Sequence, residues 1–156
     1  MSKKRAVIGL GNTLRRDDGI GILVLESLFA VYKRQNIDYL DFGTASFDLL
    51  FKFQEYSQVL LIDAIDAGLA PGELAIFDLS QMRADELPMV ISSHELNLKS
   101  IFELARKFEV KAKIYVAGIQ VQDVAHGEGL SLKLADRKEA IVSEISEFID
   151  KKFVNA

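Results

Sequence analysis

The sequence predicts an α/β fold: a three-layer sandwich with a mostly parallel sheet of about five strands, covered by helices on both faces. Short apolar runs alternate with segments whose apolar residues recur every three or four positions, in the order β-α-β-α-β-β-α-β-α. The strand-like runs are apolar throughout, which is typical of parallel strands buried on both faces. We expect residues 1–156 to form one domain.

Five short runs are the predicted strands. They are Arg5–Leu10, Ile37–Phe42, Gln58–Ile62, Glu73–Asp78 and Lys113–Gly118. Too few residues separate the third run from the fourth to hold a crossover helix. The fourth strand is therefore expected to be antiparallel to its neighbour or to lie at an edge of the sheet.

Four segments have the periodicity of amphipathic helices, and their repeating apolar positions are predicted to face the sheet. These positions are Leu25, Leu28, Phe29 and Tyr32; Phe47, Leu50 and Phe51; Leu98, Ile101, Phe102 and Ala105; and Ile141, Ile145, Phe148 and Ile149. Residues 80–92 contain Pro88 and have no clear period, which predicts an extended loop.

Composition excludes several classes of protein. The chain is 49% hydrophobic and 27% charged, which is ordinary for a globular protein. It has no cysteine, which excludes disulfides, Cys-ligated metal centres and a thiolate nucleophile. A net charge of -4 without a long basic run argues against nucleic-acid binding. The apolar stretch Ala6–Leu10 is too short for a signal peptide, and no run approaches a membrane span, so we expect a soluble, cytoplasmic protein.

Polar residues at the strand ends mark the expected site. In open α/β sheets, ligands bind beyond the carboxyl ends of the strands, where strand order reverses. Asp18 lies in the loop after the first strand, Asp63 follows the third strand, and His94 lies in the loop before the third long helix. If the first and third strands are neighbours, both carboxylates face one crevice. Two carboxylates and one imidazole suit a borderline divalent ion such as nickel or zinc, with coordination positions left open.

The acidic pair and the histidines also have plainer interpretations. Asp17 and Asp18 alone are more often first-turn acids that complement a helix dipole. His94 alone is more often an ordinary histidine at a helix start. His126, in a glycine-rich loop, is either a further ligand or, as we favour, a surface residue.

Two competing motifs fail at one position each. Gly9-Leu10-Gly11 begins like a dinucleotide fingerprint, but Leu14 stands where the last glycine is needed. His94-Glu95 begins like a zincin helix, but Leu98 replaces the second histidine. A nucleotide-binding α/β module therefore stays only a weak alternative.

Residues 7–21, VIGLGNTLRRDDGIG, resemble the N-terminal signature of the [NiFe]-hydrogenase maturation endopeptidases. The similarity continues in the same order through Asp41-Phe42-Gly43-Thr44-Ala45, Leu61-Ile62-Asp63-Ala64, Pro71-Gly72, Ser93-His94-Glu95-Leu96, Gly118-Ile119-Gln120 and Gly129-Leu130-Ser131. It covers nearly the whole chain. Phe42 departs from the family's Asp-Gly-Gly-Thr segment, and Gln120 or Val121 stands where many members have proline.

The resemblance implies an endopeptidase that removes the C-terminal extension of a hydrogenase large-subunit precursor after nickel insertion. The family's metal-contacting and catalytic residues fall on Asp18, Asp63 and His94. Nickel, carried by the substrate, would be the recognition element, and another divalent ion such as zinc or cadmium would occupy the site in vitro. We expect a monomer whose partner is the precursor. The alternative is an inactive metal-dependent binding protein or chaperone of the same fold.

Overall fold

A computed structural model describes residues 4–87 and 97–154, and the element order within these ranges is the predicted one. The strands are β1 (Arg5–Gly9), β2 (Ile37–Asp41), β3 (Gln58–Ile65), β4 (Leu74–Asp78) and β5 (Lys113–Gln120). The helices are α1 (Ile20–Tyr32), α2 (Asp48–Phe53), α3 (Leu98–Lys107) and α4 (Leu132–Ile149). Shorter turns are the 3-10 segments Arg16–Gly19, Leu79–Gln81 and Ala84–Glu86 and a π-helical turn, Asp150–Val154.

The strands form one mixed sheet in the order β2-β1-β3-β5-β4. β1 is parallel to both β2 and β3, and β3 is parallel to β5. β4 is antiparallel to β5 and lies at the edge, as its short connection to β3 predicted. Because β1 leads to β2 on one side and pairs with β3 on the other, strand order reverses between β1 and β3. The carboxyl ends of these two neighbours form the crevice in which such sheets bind ligands.

Helices cover both faces of the sheet, which confirms the predicted three-layer fold. α1 and α4 pack on one face, against a core that includes Val7 and Leu60. α2 and α3 pack on the other, against the alternate strand residues Ile8 and Leu61. None of the helices in the described ranges is both long and apolar enough to cross a membrane.

The predicted inward faces of two helices are partly wrong. In α2, Leu49 and Phe53 are fully buried, whereas Phe51 and Phe47, the residue before the helix, are 69% and 54% exposed. In α1, Phe29 is half exposed although Leu28, its neighbour in the sequence, is fully buried. Periodicity predicts a buried helix face from apolar residues that recur three or four positions apart. In a six-residue helix such as α2, two different sets of apolar residues have this spacing, so the pattern does not decide which set is buried.

Two strands are longer than predicted. β3 continues past Ile62 to Ile65, so Asp63 lies within the strand rather than after it. β5 likewise continues past Gly118 to Gln120. The two strands pair over their full lengths, with Asp63 opposite Gly118. The predicted 80–92 loop contains two 3-10 turns, and its residues 88–92 lie outside the described ranges.

Arg34 joins the end of α1 to α4. Its Nε donates to Asp150 Oδ1 at 2.7 Å and its Nη2 donates to Ser146 Oγ at 2.7 Å. The hydrogen bond from Arg34 holds the pKa of Asp150 below its ordinary value. α1 follows directly on the turn that carries Asp18. The pairing of Arg34 with Asp150 and Ser146 therefore helps to fix the helix next to the predicted site.

The corrected face of α2 predicts opposite outcomes for two neighbouring residues. Leu49→Ala removes a fully buried side chain and should lower the free energy of unfolding by about 2–5 kcal/mol. Phe51→Ala, at a position that is 69% exposed, should change it by less than about 0.5 kcal/mol. Urea denaturation measures both values. A larger loss of unfolding free energy for Phe51→Ala than for Leu49→Ala would mean that α2 turns Phe51, and not Leu49, toward the core.

The Arg34–Asp150 pair predicts a pH-dependent contribution to stability. Because the pKa of Asp150 is lowered on folding, its contribution is present above the unfolded pKa of about 3.9 and is lost as pH falls through the folded value. Asp150 is 48% exposed and screened by solvent, so Asp150→Asn should cost only about 0.2–1 kcal/mol at pH 7. Denaturation at pH 7, 5 and 3 should show this difference shrinking below about pH 4. An undiminished difference at pH 3 would contradict the assignment.

Candidate functional site

The start of α1 rests directly on the ends of β1 and β3. A Cβ built at Gly21 would overlap the carbonyl oxygens of Leu10 and Ile62. A Cβ at Gly11, whose φ is +144°, would overlap the carbonyl oxygen of Asp18. Glycine at both positions therefore lets the backbone that carries Asp18 approach the strand ends more closely than any side chain would permit.

Asp18 lies in the 3-10 turn Arg16–Gly19, and its residue exposure is 0%. Its Oδ2 accepts a hydrogen bond from the backbone N–H of Asn12 at 3.1 Å. The turn contacts β3, so Asp18 lies at the carboxyl edge of the sheet between the ends of β1 and β3. Gly11 and Asn12 pack against the turn and contribute to the burial of Asp18.

Asp63 lies on β3 at the same edge of the sheet, and it is 1% exposed. It comes one residue after Ile62, which pairs with Gly9 at the end of β1. Its Oδ1 accepts a hydrogen bond from the backbone N–H of Ala64 at 2.8 Å. Leu61 and Ile65, two residues away on either side, pack in the core under α2 and α3, so strand alternation directs Asp63 toward that face.

The third predicted site residue, His94, lies outside the described ranges, so its place in the site stays a prediction. Within residues 4–87 and 97–154, no group of three or more His, Cys, Asp or Glu side chains is arranged to hold a metal ion. The described part of the site therefore consists of two buried carboxylates, Asp18 and Asp63. Buried carboxylates at a sheet edge are characteristic of sites that bind cations or move protons.

Asp17 points away from Asp18 and binds a distant loop. Its carboxylate accepts hydrogen bonds from the backbone N–H groups of Gln122, Asp123 and Ser131, and also from the hydroxyl of Ser131. Asp17 and Asp18 do lie in the first turn of the 3-10 segment that leads into α1, as the plainer interpretation expected, but the carboxylate of Asp17 binds the distant loop. The sequence carried no signal that these loop donors, more than 100 positions away, would meet Asp17.

Gln120 is a second residue whose structural role the sequence did not reveal. It is 5% exposed and lies at the end of β5. Its Oε1 accepts from the N–H groups of Ala67 and Leu69 at 2.8 and 3.3 Å, and its Nε2 donates to Asp66 Oδ1 at 3.1 Å. Gln120 thereby fixes the loop that follows Asp63 along β3. Residue type gave no sign of this, because glutamine in a strand carries no specific structural signal.

An open cleft of about 350 Å³ lies beside the Asp18 turn. The loop after β1 and the loop after β2 line it, with Asp41 as its charged residue. Asp41 is exposed, and its Oδ1 accepts from the N–H of Gly43 at 2.8 Å, which orders the loop. His126 is exposed in the loop between β5 and α4, as we favoured from the sequence.

The close approach at Gly11 predicts a specific loss of stability. Gly11→Ala adds a Cβ that overlaps the Asp18 carbonyl oxygen and imposes an unfavourable φ, so it should cost more than about 3 kcal/mol. Gly43→Ala is the matched control, since Gly43 also has a positive φ but has nothing within 4 Å of the added Cβ. It should cost about 1–2 kcal/mol. Equal losses in chemical denaturation would show that the contact with Asp18 is not close.

The chain has clear relatives among known proteins. A family model described as hydrogenase maturation protease matches residues 22–148. The hydrogenase expression/formation protein HupD of Bradyrhizobium diazoefficiens is 33% identical over 93 residues, which are 59% of this chain and 46% of that protein. The chain thus spans about half the length of the HupD relatives that it matches.

Solved structures have the same fold. The crystal structure of the [NiFe] hydrogenase maturation protease HycI from Thermococcus kodakarensis matches with a TM-score of 0.74 and 27% identity, covering 95% of this chain and 93% of that one. The maturating endopeptidase HybD of E. coli matches with a TM-score of 0.79 at 23% identity, over 96% and 94% of the two chains. Because the family model matches most of its length, the chain belongs to the hydrogenase maturation protease family.

Proposed function

We propose that this protein is an endopeptidase that removes the C-terminal extension of a [NiFe]-hydrogenase large-subunit precursor after nickel has been inserted. Nickel in the substrate is the recognition element. The observation that carries the proposal is the burial of Asp18 and Asp63 at one sheet edge, where strand order reverses. Membership of the maturation protease family supports the class of reaction.

The donor set fits a substrate-borne nickel ion. Asp18, in the turn between β1 and α1, and Asp63, on β3, are proposed to supply carboxylate oxygens, and His94 is proposed to supply the imidazole. Such residues would fill coordination positions that the precursor leaves open. In vitro, zinc or cadmium is expected to bind at the same place. A divalent cation bound there would be attracted by the negative charge of ionised carboxylates.

The position of α3 supports the assignment of His94. α3 ends at Lys107, close in sequence to Lys113, where β5 begins at the amino edge of the sheet. A ten-residue helix is about 15 Å long, so its start at Leu98 lies toward the carboxyl edge. α3 also covers the face toward which Asp63 points. His94 precedes Leu98 by four residues, within reach of that edge.

Hydrolysis requires a water molecule to add across the scissile peptide bond. Its oxygen joins the carbonyl carbon, one proton goes to a base, and the leaving amine takes up a proton. Asp18 or Asp63 is the proposed base, because a carboxylate within hydrogen-bond reach of the water accepts that proton. No covalent enzyme intermediate is proposed, since the chain has no cysteine and no other nucleophile is indicated.

We further propose that the active protein is a cytoplasmic monomer whose partner is the large-subunit precursor. The second candidate is a catalytically inactive binding protein or chaperone of the same fold. It would use Asp18, Asp63 and His94 to hold the nickel-loaded precursor without cleaving it. A cleavage assay separates these two functions.

Removing either carboxylate charge should abolish most cleavage. Asp18→Asn and Asp63→Asn keep the shape of the side chain, and each should slow cleavage of a nickel-loaded precursor by about 10²–10⁴-fold. His126→Ala is the control and should cleave at the wild-type rate, because His126 is exposed and contributes nothing to the proposed site. Gel-based processing assays measure the rates. Since both aspartates are buried, melting temperatures must be measured alongside to establish that each variant is folded.

Two results would contradict the proposal. Normal cleavage by folded Asp63→Asn would show that the reaction does not need the Asp63 carboxylate. Full cleavage of a nickel-free precursor would show that the nickel is not recognised and that the peptide sequence directs the reaction. Binding of the nickel-loaded precursor without cleavage by the wild type would favour the chaperone.

A further inference from the structure

We propose that Asp17 is the positioning residue of this site: its carboxylate holds residues 122–131 against the turn that carries Asp18, and so fixes where the Asp18 carboxylate lies. That the position of Asp18 matters for activity rests on the proposed function. The contacts that hold Asp18 in place do not depend on that function, because all of them join described residues of this chain.

The carboxylate of Asp17 is completely buried and accepts four hydrogen bonds from one loop. Its Oδ2 accepts from the N–H groups of Gln122 and Asp123, both at 2.9 Å, and from the Oγ of Ser131 at 2.8 Å. Its Oδ1 accepts from the N–H of Ser131 at 2.7 Å. A carboxylate is the only short side chain that accepts at both oxygens, so the loop is built around an anion at this position.

Backbone contacts extend this attachment along the turn. Asp17 N–H donates to the Asp123 carbonyl at 3.0 Å, and Arg16 N–H donates to the Gly127 carbonyl at 3.0 Å. Gly127 N–H in turn donates to the Leu14 carbonyl at 2.9 Å. The segment from Leu14 to Asp17 is therefore bound to the loop between β5 and α4 on one side. On the other side, Asp18 rests on Gly11 and Asn12.

Arg16 shows that this turn is held under strain. Its φ is +46°, a left-handed conformation that costs free energy for a side chain other than glycine. Such a conformation persists only where the surrounding contacts enforce it. Those contacts are the hydrogen bonds of Arg16 and Asp17 to the 122–131 loop. Without the anion at Asp17 the turn should relax, and Asp18, the next residue, would move with it.

Asp17→Asn is the appropriate variant to test this role, and Cd²⁺ is the probe. The amide keeps the size of the side chain but places an NH₂ group against N–H donors of the loop. Calorimetry should show Cd²⁺ binding at least about 10-fold weaker than in the wild type. Ser131→Ala, which removes one of the four hydrogen bonds, should weaken it less.

Tyr56→Phe is the matched control for a general loss of stability. It removes the 2.7 Å hydrogen bond from the Tyr56 hydroxyl to Asp38, at the amino edge of the sheet and away from the site. It should lower the melting temperature and leave the Cd²⁺ affinity unchanged. If Asp17→Asn lowers the melting temperature but binds Cd²⁺ like the wild type, Asp17 serves only the stability of the fold and the proposal is overturned.

Amide hydrogen exchange separates this inference from the proposed function. In Asp17→Asn, exchange at Asp18 and across residues 122–131 should become faster, whereas Tyr56→Phe should leave the relative protection of these segments unchanged. If the wild type binds no Cd²⁺ and cleaves no precursor, the proposed function fails, and exchange alone decides the role of Asp17. Unchanged protection of Asp18 in Asp17→Asn would overturn the coupling between the loop and the turn.

Discussion

The site depends on how closely the start of α1 approaches the ends of β1 and β3. A Cβ at Gly21 would overlap the carbonyl oxygens of Leu10 and Ile62, and a Cβ at Gly11 would overlap that of Asp18. These contacts place the Asp18 turn directly over the point where strand order reverses. Parallel pairing of β1 with β3 fixes Asp63 at the same edge, so the turn after β1 and the end of β3 bring both aspartates to that edge.

Buried negative charge is the electrostatic problem at this edge, and the chain treats its aspartates differently. Asp17 is surrounded by four donors, which stabilise its charge as part of the fold. Asp18 accepts from the N–H of Asn12, and Asp63 from that of Ala64. The first carboxylate therefore belongs to the scaffold. Asp18 and Asp63 lie instead at the crevice where strand order reverses.

Much of this arrangement could be predicted from the sequence. Apolar runs predicted the strands, and the short connection between the third and fourth runs predicted an edge strand. The polar residues after the first and third runs placed Asp18 and Asp63 near the carboxyl edge, and their role there stays a prediction. These features are local, and local patterns are what a single sequence records. His94 stays a prediction, since the described ranges do not include it.

The remaining features depend on contacts between distant parts of the chain. Phe51 has the spacing of a core residue, but α2 turns Leu49 and Phe53 toward the core and leaves Phe51 exposed. Asp17 is adjacent to Asp18 and has the same side chain, yet only the folded loop at residues 122–131 distinguishes their roles. Gln120 orders the 66–69 loop across more than 50 positions.

The separation in sequence between Asp17 and its partners also has a consequence for the order of folding. β1, α1 and β2 are consecutive, so they can associate by closing short loops. β3 meets β5 only after a loop from Gln58 to Lys113 has closed, and residues 122–131 follow β5. Contacts of such long range form late and slowly. Because the turn that carries Asp18 is held by these contacts, we expect it to be completed late in folding, after residues 122–131 have docked.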